Sequence, residues 1–135
     1  MLIRLISAGK SAVLGGQINA DLYLDCRVVR NPFRDPVLGG KTGDDLEVQA
    51  WMVKENPEFL RAAVKLVELG KITAPSRNSF KERGNGSALL VPDSTGGKPF
   101  TVCFFCLAGI HRSRSAKHVV GNMLRQRGHQ VEVVK

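Results

Sequence analysis

Residues 100–113, FTVCFFCLAGIHRS, decide the fold. From Phe100 to Cys106 the run is apolar apart from Thr101, as a strand covered on both faces would be. Behind it, Ala116, Val119, Val120, Met123 and Leu124 fall on one helical stripe, Gly128 is placed to cap that helix, and QVEVVK (130–135) reads as a further strand. Strand, loop, helix, strand is a βαβ unit, which puts the loop CLAGIHRS (106–113) at the carboxyl edge of a mostly parallel sheet. Ligands of α/β folds bind at that edge.

Working outward, LIRLIS (2–7) predicts a strand, AGKSAVLGGQINAD (8–21) a Gly-containing loop, and LYLDCRVV (22–29) a second strand. Pro32 and Pro36 end that strand, because neither donates a ladder hydrogen bond nor lets the preceding residue turn helical. After VLGGKTGDD (37–45), Leu46, Gln49, Ala50 and Val53 share one face of a helix that stops near Asn56. Asn56, Pro57 and Glu58 carry the chemistry of a new helix start. The apolar stripe of that helix is Phe59, Leu60, Ala63, Val64 and Val67, and Gly70 is placed as the residue past its end. Residues 71–87, basic and punctuated by Pro and Gly, predict a long surface loop, and ALLV (88–91) is expected to pair with FTVCFF as a hairpin. The fold expected is a single three-layer α/β domain over residues 1–135, with helices flanking the sheet and a phosphate-binding loop between a central strand and the last helix.

Composition narrows the partners. A formal charge of +8 favours polyanions, nucleic acid or phosphorylated metabolites, although a solvated basic surface gives the same balance. No apolar run approaches the roughly 18 residues of a membrane span, and MLIRLISAGK lacks the form of a secretory signal. Cys26, Cys103 and Cys106 are odd in number, and two of them share one apolar segment, which argues for free thiols in a reducing, cytoplasmic compartment.

The loop itself can hold an anion. Helix-start amides and the helix dipole favour negative charge, Gly109 allows close backbone approach, Arg112 offers a planar fork, and Ser113 and His111 add donors. Cys106 and Arg112 also fit Cys-x5-Arg-Ser, the spacing of cysteine-dependent phosphatases, with Asp25, Asp35 or Asp93 as candidate acid. Cys103 and Cys106 form a Cys-x-x-Cys, but Cys103 lies inside the strand and belongs to the core. His111 and His118 lack the spacing of a zinc site, and GKS at 9–11 lacks the first glycine of a nucleotide P-loop. Neither metal nor cofactor is expected. Arg114, His118 and Arg125 share the outer face of the last helix, as a solvated face or as part of an RNA track.

Three separated motifs in order carry a resemblance: Asp25-x-Arg27-x3-Asn31-Pro32, Thr42-Gly43, and Cys-x-x-Gly-x-His-Arg-Ser from Cys106. Together with ISAGK (6–10) they resemble the C-terminal domain of the RapZ family, bacterial RNase adapter proteins. The resemblance implies a regulatory, non-enzymatic domain that senses an amino sugar phosphate, glucosamine-6-phosphate, binds small RNA, assists an RNase and assembles as a homo-oligomer, in a bacterial or phage setting. Family members also carry an N-terminal P-loop ATPase domain, which these residues do not include. Carried over by position, Cys106, Leu107, Ala108, Gly109, His111, Arg112 and Ser113 form the phosphate loop. Asp25, Arg27 and Asn31 line the pocket from the second strand, Thr42 and Gly43 close another side, and Ser7 and Lys10 contribute from the first strand's end. Arg77, Lys81, Arg83, Arg114, Lys117 and Arg125 are the RNA-binding candidates.

Overall fold

The computed structural model describes residues 2–29, 38, 40–81, 99–109 and 111–134, with the backbone alone described for 74–81. Four parallel strands form one sheet in the order β2-β3-β1-β4: β1 (Ile3–Gly9), β2 (Leu22–Asp25), β3 (Phe100–Cys106) and β4 (Val131–Val133). Helices flank it: α1 (Lys10–Leu14), α2 (Leu46–Glu55), α3 (Pro57–Lys81) and α4 (Arg112–Gln126). This is the parallel α/β architecture that the βαβ pattern predicts.

β3 is central, hydrogen-bonded to β1 from Ile3↔Phe100 to Gly9↔Cys106 and to β2 from Leu22↔Val102 to Asp25↔Phe105. Because side chains alternate along a strand, Ile3 and Leu5 share a face with Phe100, Val102 and Phe104, and all five are buried. α4 packs on that face through Ala116, Val120 and Leu124, which are buried with them in one cluster. Burying those three side chains contributes on the order of 5 kcal/mol before the entropy of ordering them is charged.

Several elements depart from expectation. β1 runs on to Gly9 and turns directly into α1, where a loop was expected. β2 ends at Asp25, because the Asp25 carboxylate accepts from the Arg27 amide at 2.9 Å and winds residues Cys26–Val28 into a single 3-10 turn. In α3 the stripe Leu60, Ala63, Val64 and Val67 is buried as expected, but Gly70 does not end the helix. Gly70 lies against the Phe100 ring, where a β-carbon would collide, so this glycine lets α3 pass close to β3 and continue to Lys81. In α2 the buried residues are Val48 and Met52, and Leu46 is 81% exposed. The expected stripe of Leu46, Gln49, Ala50 and Val53 borders an open groove of about 550 Å³ between α2, α3 and α4. The ALLV strand and its hairpin lie outside the described residues. Among those described, no helix is long and apolar enough to cross a membrane.

Candidate functional site

β3 leaves the sheet at Cys106 and α4 begins at Arg112, so the chain must turn sharply over the sheet edge from Leu107 on. Gly109 makes the turn with φ +74°, a conformation that costs a side-chain-bearing residue about 1–2 kcal/mol. A β-carbon there would also lie 2.7 Å from the Gly9 amide nitrogen and 2.8 Å from the Ala8 carbonyl carbon. The loop is therefore seated directly on the end of β1, where the Lys10 amide donates to the Leu107 carbonyl at 3.4 Å. Leu107 and Ala108 are exposed, and His111 is buried.

This turn wraps around the Cys106 sulfur. The Gly109 amide donates to Sγ at 3.2 Å, and Ser113 Oγ, fully buried, lies 3.2 Å from the same atom. Burial pushes the thiol pKa up, but the Ser113 hydroxyl, the Ser113 and Gly109 amides and the positive field of Arg112 outweigh it. The net direction is down, so Cys106 ionises more readily than an ordinary thiol although only 3% of it is exposed. Cys103 behaves oppositely. It is fully buried, and burial pushes it up to about 11, as befits a core residue.

Arg112 reaches away from the sulfur. Its Nη1 donates to the carbonyl oxygens of Arg27 at 3.1 Å and Val29 at 3.5 Å, tying the first turn of α4 to the 3-10 turn after β2. The remaining fork nitrogens bond no described residue. Asp25 and Arg27 form a two-pronged ion pair, Nε to Oδ1 at 2.9 Å and Nη2 to Oδ2 at 2.7 Å, with the guanidinium 5.6 Å from the Phe105 ring centre. The Arg27 guanidinium holds the Asp25 carboxyl below its ordinary range. Expected to line the pocket, Asp25 and Arg27 are joined to each other in an internal ion pair. Asn31 lies outside the described residues.

Thr42 and Gly43 sit on the other flank of α4. Gly43 presses against the Ser115 amide and the Arg114 β-carbon, a contact that only glycine permits. The Thr42 hydroxyl accepts from the Asp44 amide at 3.2 Å, and the Asp45 carboxylate accepts from the Thr42 amide at 2.8 Å. Asp44 then reaches α4, with Oδ1 2.8 Å from His118 Nε2 and Oδ2 3.5 Å from Arg114 Nη1. Sequence reading missed Asp44, since an acid in a turn before a helix looks like first-turn chemistry; its spacing to His118 becomes visible only once the turn lies across α4.

The motifs thus meet at the start of α4, and the basic candidates divide. Arg114 is held by Asp44, and Arg125 Nη2 donates to the Val131 carbonyl at 3.2 Å. Lys117 is corrected outright as a surface contact. It is 2% exposed, with Nζ 3.1 Å from Ser7 Oγ and 2.7 Å from the Val134 carbonyl, and burial lowers its pKa. That contact also turns Ser7 toward Lys117. For Arg77 and Lys81 only the backbone is described, and Arg83 lies outside the described residues. Among the described residues no group of three His, Cys, Asp or Glu side chains is placed to hold a metal ion.

The sequence profile of the family described as "RapZ C-terminal domain" matches residues 1–135. A nucleotide-binding protein of Clostridium novyi is 33% identical over 119 residues, covering 87% of this chain and 34% of the relative. One from Jannaschia is 32% identical over 114 residues, covering 84% and 31%, and one from Caldicellulosiruptor bescii is 30% identical over 135 residues, covering 98% and 40%. The chain spans 31–40% of the length of these relatives.

Proposed function

The chain belongs to the RapZ C-terminal domain family, and from that premise we propose that it is a regulatory domain that binds a phosphorylated small molecule at the start of α4 and RNA through its basic surface. One observation carries the ligand half: a buried central strand feeds through the Gly109 turn into the N-terminus of a 15-residue helix, with Arg112 and Ser113 in its first turn. The amides of a helix start and the helix dipole favour an anion there. The fork nitrogens of Arg112 that bond no described residue extend that preference to a phosphate oxygen. The family resemblance names the amino sugar phosphates, glucosamine-6-phosphate first, as the class to test. The relatives are named nucleotide-binding proteins, so a nucleotide is the competitor to include.

The RNA half rests on the net charge of +8. With Arg114 and Lys117 engaged within the domain, it leans on the basic stretch that holds Arg77, Lys81 and Arg83. An RNase partner, homo-oligomer formation and the cytoplasm complete the proposal, the last because Cys26, Cys103 and Cys106 are all free thiols.

A second reading has one observation in its favour. The Cys106 sulfur is cradled by the Gly109 amide and Ser113, as a phosphatase thiolate would be. Against it, Arg27 occupies Asp25, one of the three candidate acids, in an ion pair that lowers its pKa; Asp35 and Asp93 lie outside the described residues.

Thermal unfolding decides between them. Wild type should melt higher with millimolar glucosamine-6-phosphate, and should not turn over an aryl phosphate. No shift with glucosamine-6-phosphate, inorganic phosphate or ATP would remove the ligand half. Turnover lost in Cys106→Ser would install the phosphatase.

A further inference from the structure

We propose that Cys26 and Cys106 are a peroxide-responsive thiol pair that closes to a disulfide and thereby opens the Gly109 turn. The β2–β3 register ends at Asp25↔Phe105, and the residues that follow these partners are Cys26, which opens the 3-10 turn, and Cys106, the last residue of β3. On β3, Cys106 shares the face of Phe104, whose partner Leu24 is buried beside it. Cys26 and Cys106 are buried in the same cluster. Each cysteine is bonded directly to a residue of that last pair, which keeps the two near the Cα separation of roughly 4.4–6.8 Å that a disulfide requires. The guanidinium of Arg112 bridges the two segments, bonding the carbonyls beyond Cys26 while its charge acts on both sulfurs.

The two thiols are chemically unequal, which sets the order of events. The Gly109 amide donates to the Cys106 sulfur and Ser113 Oγ lies against it, contacts that favour the thiolate, so Cys106 reacts first. Its sulfur attacks one oxygen of hydrogen peroxide, the O–O bond breaks, and hydroxide leaves and takes up a proton as water; Cys106 becomes a sulfenic acid. Burial raises the Cys26 thiol far above the ordinary range, so it resolves the intermediate slowly. Its sulfur attacks the Cys106 sulfur, the S–S bond forms, the S–O bond breaks, and hydroxide departs as water with the Cys26 proton. Two thiols are oxidised and one peroxide is reduced to water.

The consequence for the loop rests on the anion-binding reading. A disulfide sulfur is a poorer acceptor than a thiolate and points toward Cys26, so the Gly109 amide and Ser113 lose the atom around which they converge. Oxidation then lowers anion affinity.

The experiment is a peroxide titration of the full chain, quenched with an alkylating agent and mapped by mass spectrometry. The expected product is a monomer with Cys103 alkylated and a Cys26–Cys106 cross-linked peptide, reversed by dithiothreitol. In Cys26→Ala, dimedone should trap Cys106 as sulfenic acid. Full alkylation of Cys26 while Cys106 proceeds to sulfinic acid, or cross-links only between chains, overturns the pair. The wild-type map needs no variant to fold. Thermal shift with glucosamine-6-phosphate, read on oxidised and reduced protein, separates the two claims. A shift in the reduced form only supports the regulation; equal shifts overturn it. Cross-linking in a protein whose reduced form shows no shift overturns the anion reading while the thiol pair stands.

Discussion

Arg112 Nη1 lies 3.1 Å from the carbonyl oxygen of Arg27, so the side chain proposed to meet a phosphate also fastens the end of β2 to the start of α4. The other in-plane N–H groups of the guanidinium stay available to a second partner, as its fork geometry allows. Ligand binding should therefore be coupled to the order of the 3-10 turn at Cys26–Val28.

Arg112→Ala should lower stability by about 1–3 kcal/mol, since a charged hydrogen bond is lost and two carbonyls lose their donor. Urea unfolding of the unliganded protein measures this. Arg112→Lys should recover part of the ligand response and little of the stability, because an ammonium lacks the planar fork. Equal stability of Arg112→Ala and wild type would show that the link to Arg27 contributes nothing.

Gly109→Ala should cost about 2–4 kcal/mol, combining the strain of positive φ with the collision against Ala8 and Gly9. Gly16 also has positive φ but open space around it, so Gly16→Ala should cost only about 1–2 kcal/mol. The difference between the two variants in chemical unfolding isolates the seating of the loop on β1.

The FTVCFF strand, the last helix and the parallel order were legible because a fully buried strand and an amphipathic helix leave strong periodic signals. The stripe of α3 was legible for the same reason, but its end was not. Gly70 reads as a helix stop because the sequence does not show that Phe100 lies against it. α2 was assigned the wrong buried face, since Leu46 and Val53 are apolar yet border an open groove. At the site, the meeting of the three motifs around α4 was anticipated by the resemblance, whereas the partners were not. Lys117 looks like a surface cation until burial turns it to Ser7 and Val134, and Asp44 looks like turn chemistry until it lies across His118. The Lys117–Ser7 and Asp44–His118 contacts join residues more than 70 positions apart, which no local pattern encodes.

The pH dependence of stability should carry a signature of Cys106. Its folded pKa lies below the ordinary free-thiol value of 9.0. The stabilisation is therefore fully present above that free-thiol value and is lost as pH falls through the folded pKa. Cys26 and Cys103 act oppositely, because their raised folded values penalise folding once the unfolded thiols ionise. Subtracting the profile of Cys106→Ala from that of wild type removes the other two. The difference should grow as pH rises toward the free-thiol value of 9.0, and a flat difference would show that the cradle does not favour the thiolate.

Asp44 supplies the remaining test, because it withholds cations from any polyanion. Its carboxylate is held below the ordinary range first by the His118 hydrogen bond and then by the charge of Arg114. The site is exposed, so Asp44→Ala should change stability by only about 0–1 kcal/mol at neutral pH. That contribution is present above pH ~3.9 and is lost as pH falls through the lower folded pKa. The same variant removes a negative charge from the outer face of α4 and releases Arg114. RNA should bind Asp44→Ala more tightly than wild type, and the slope of log affinity against log salt should steepen by about 1, the value for one additional phosphate contact. Fluorescence anisotropy with a labelled RNA across a salt series measures both. Unchanged affinity and slope would place the RNA surface away from this face of α4 and return the search to the stretch holding Arg77, Lys81 and Arg83.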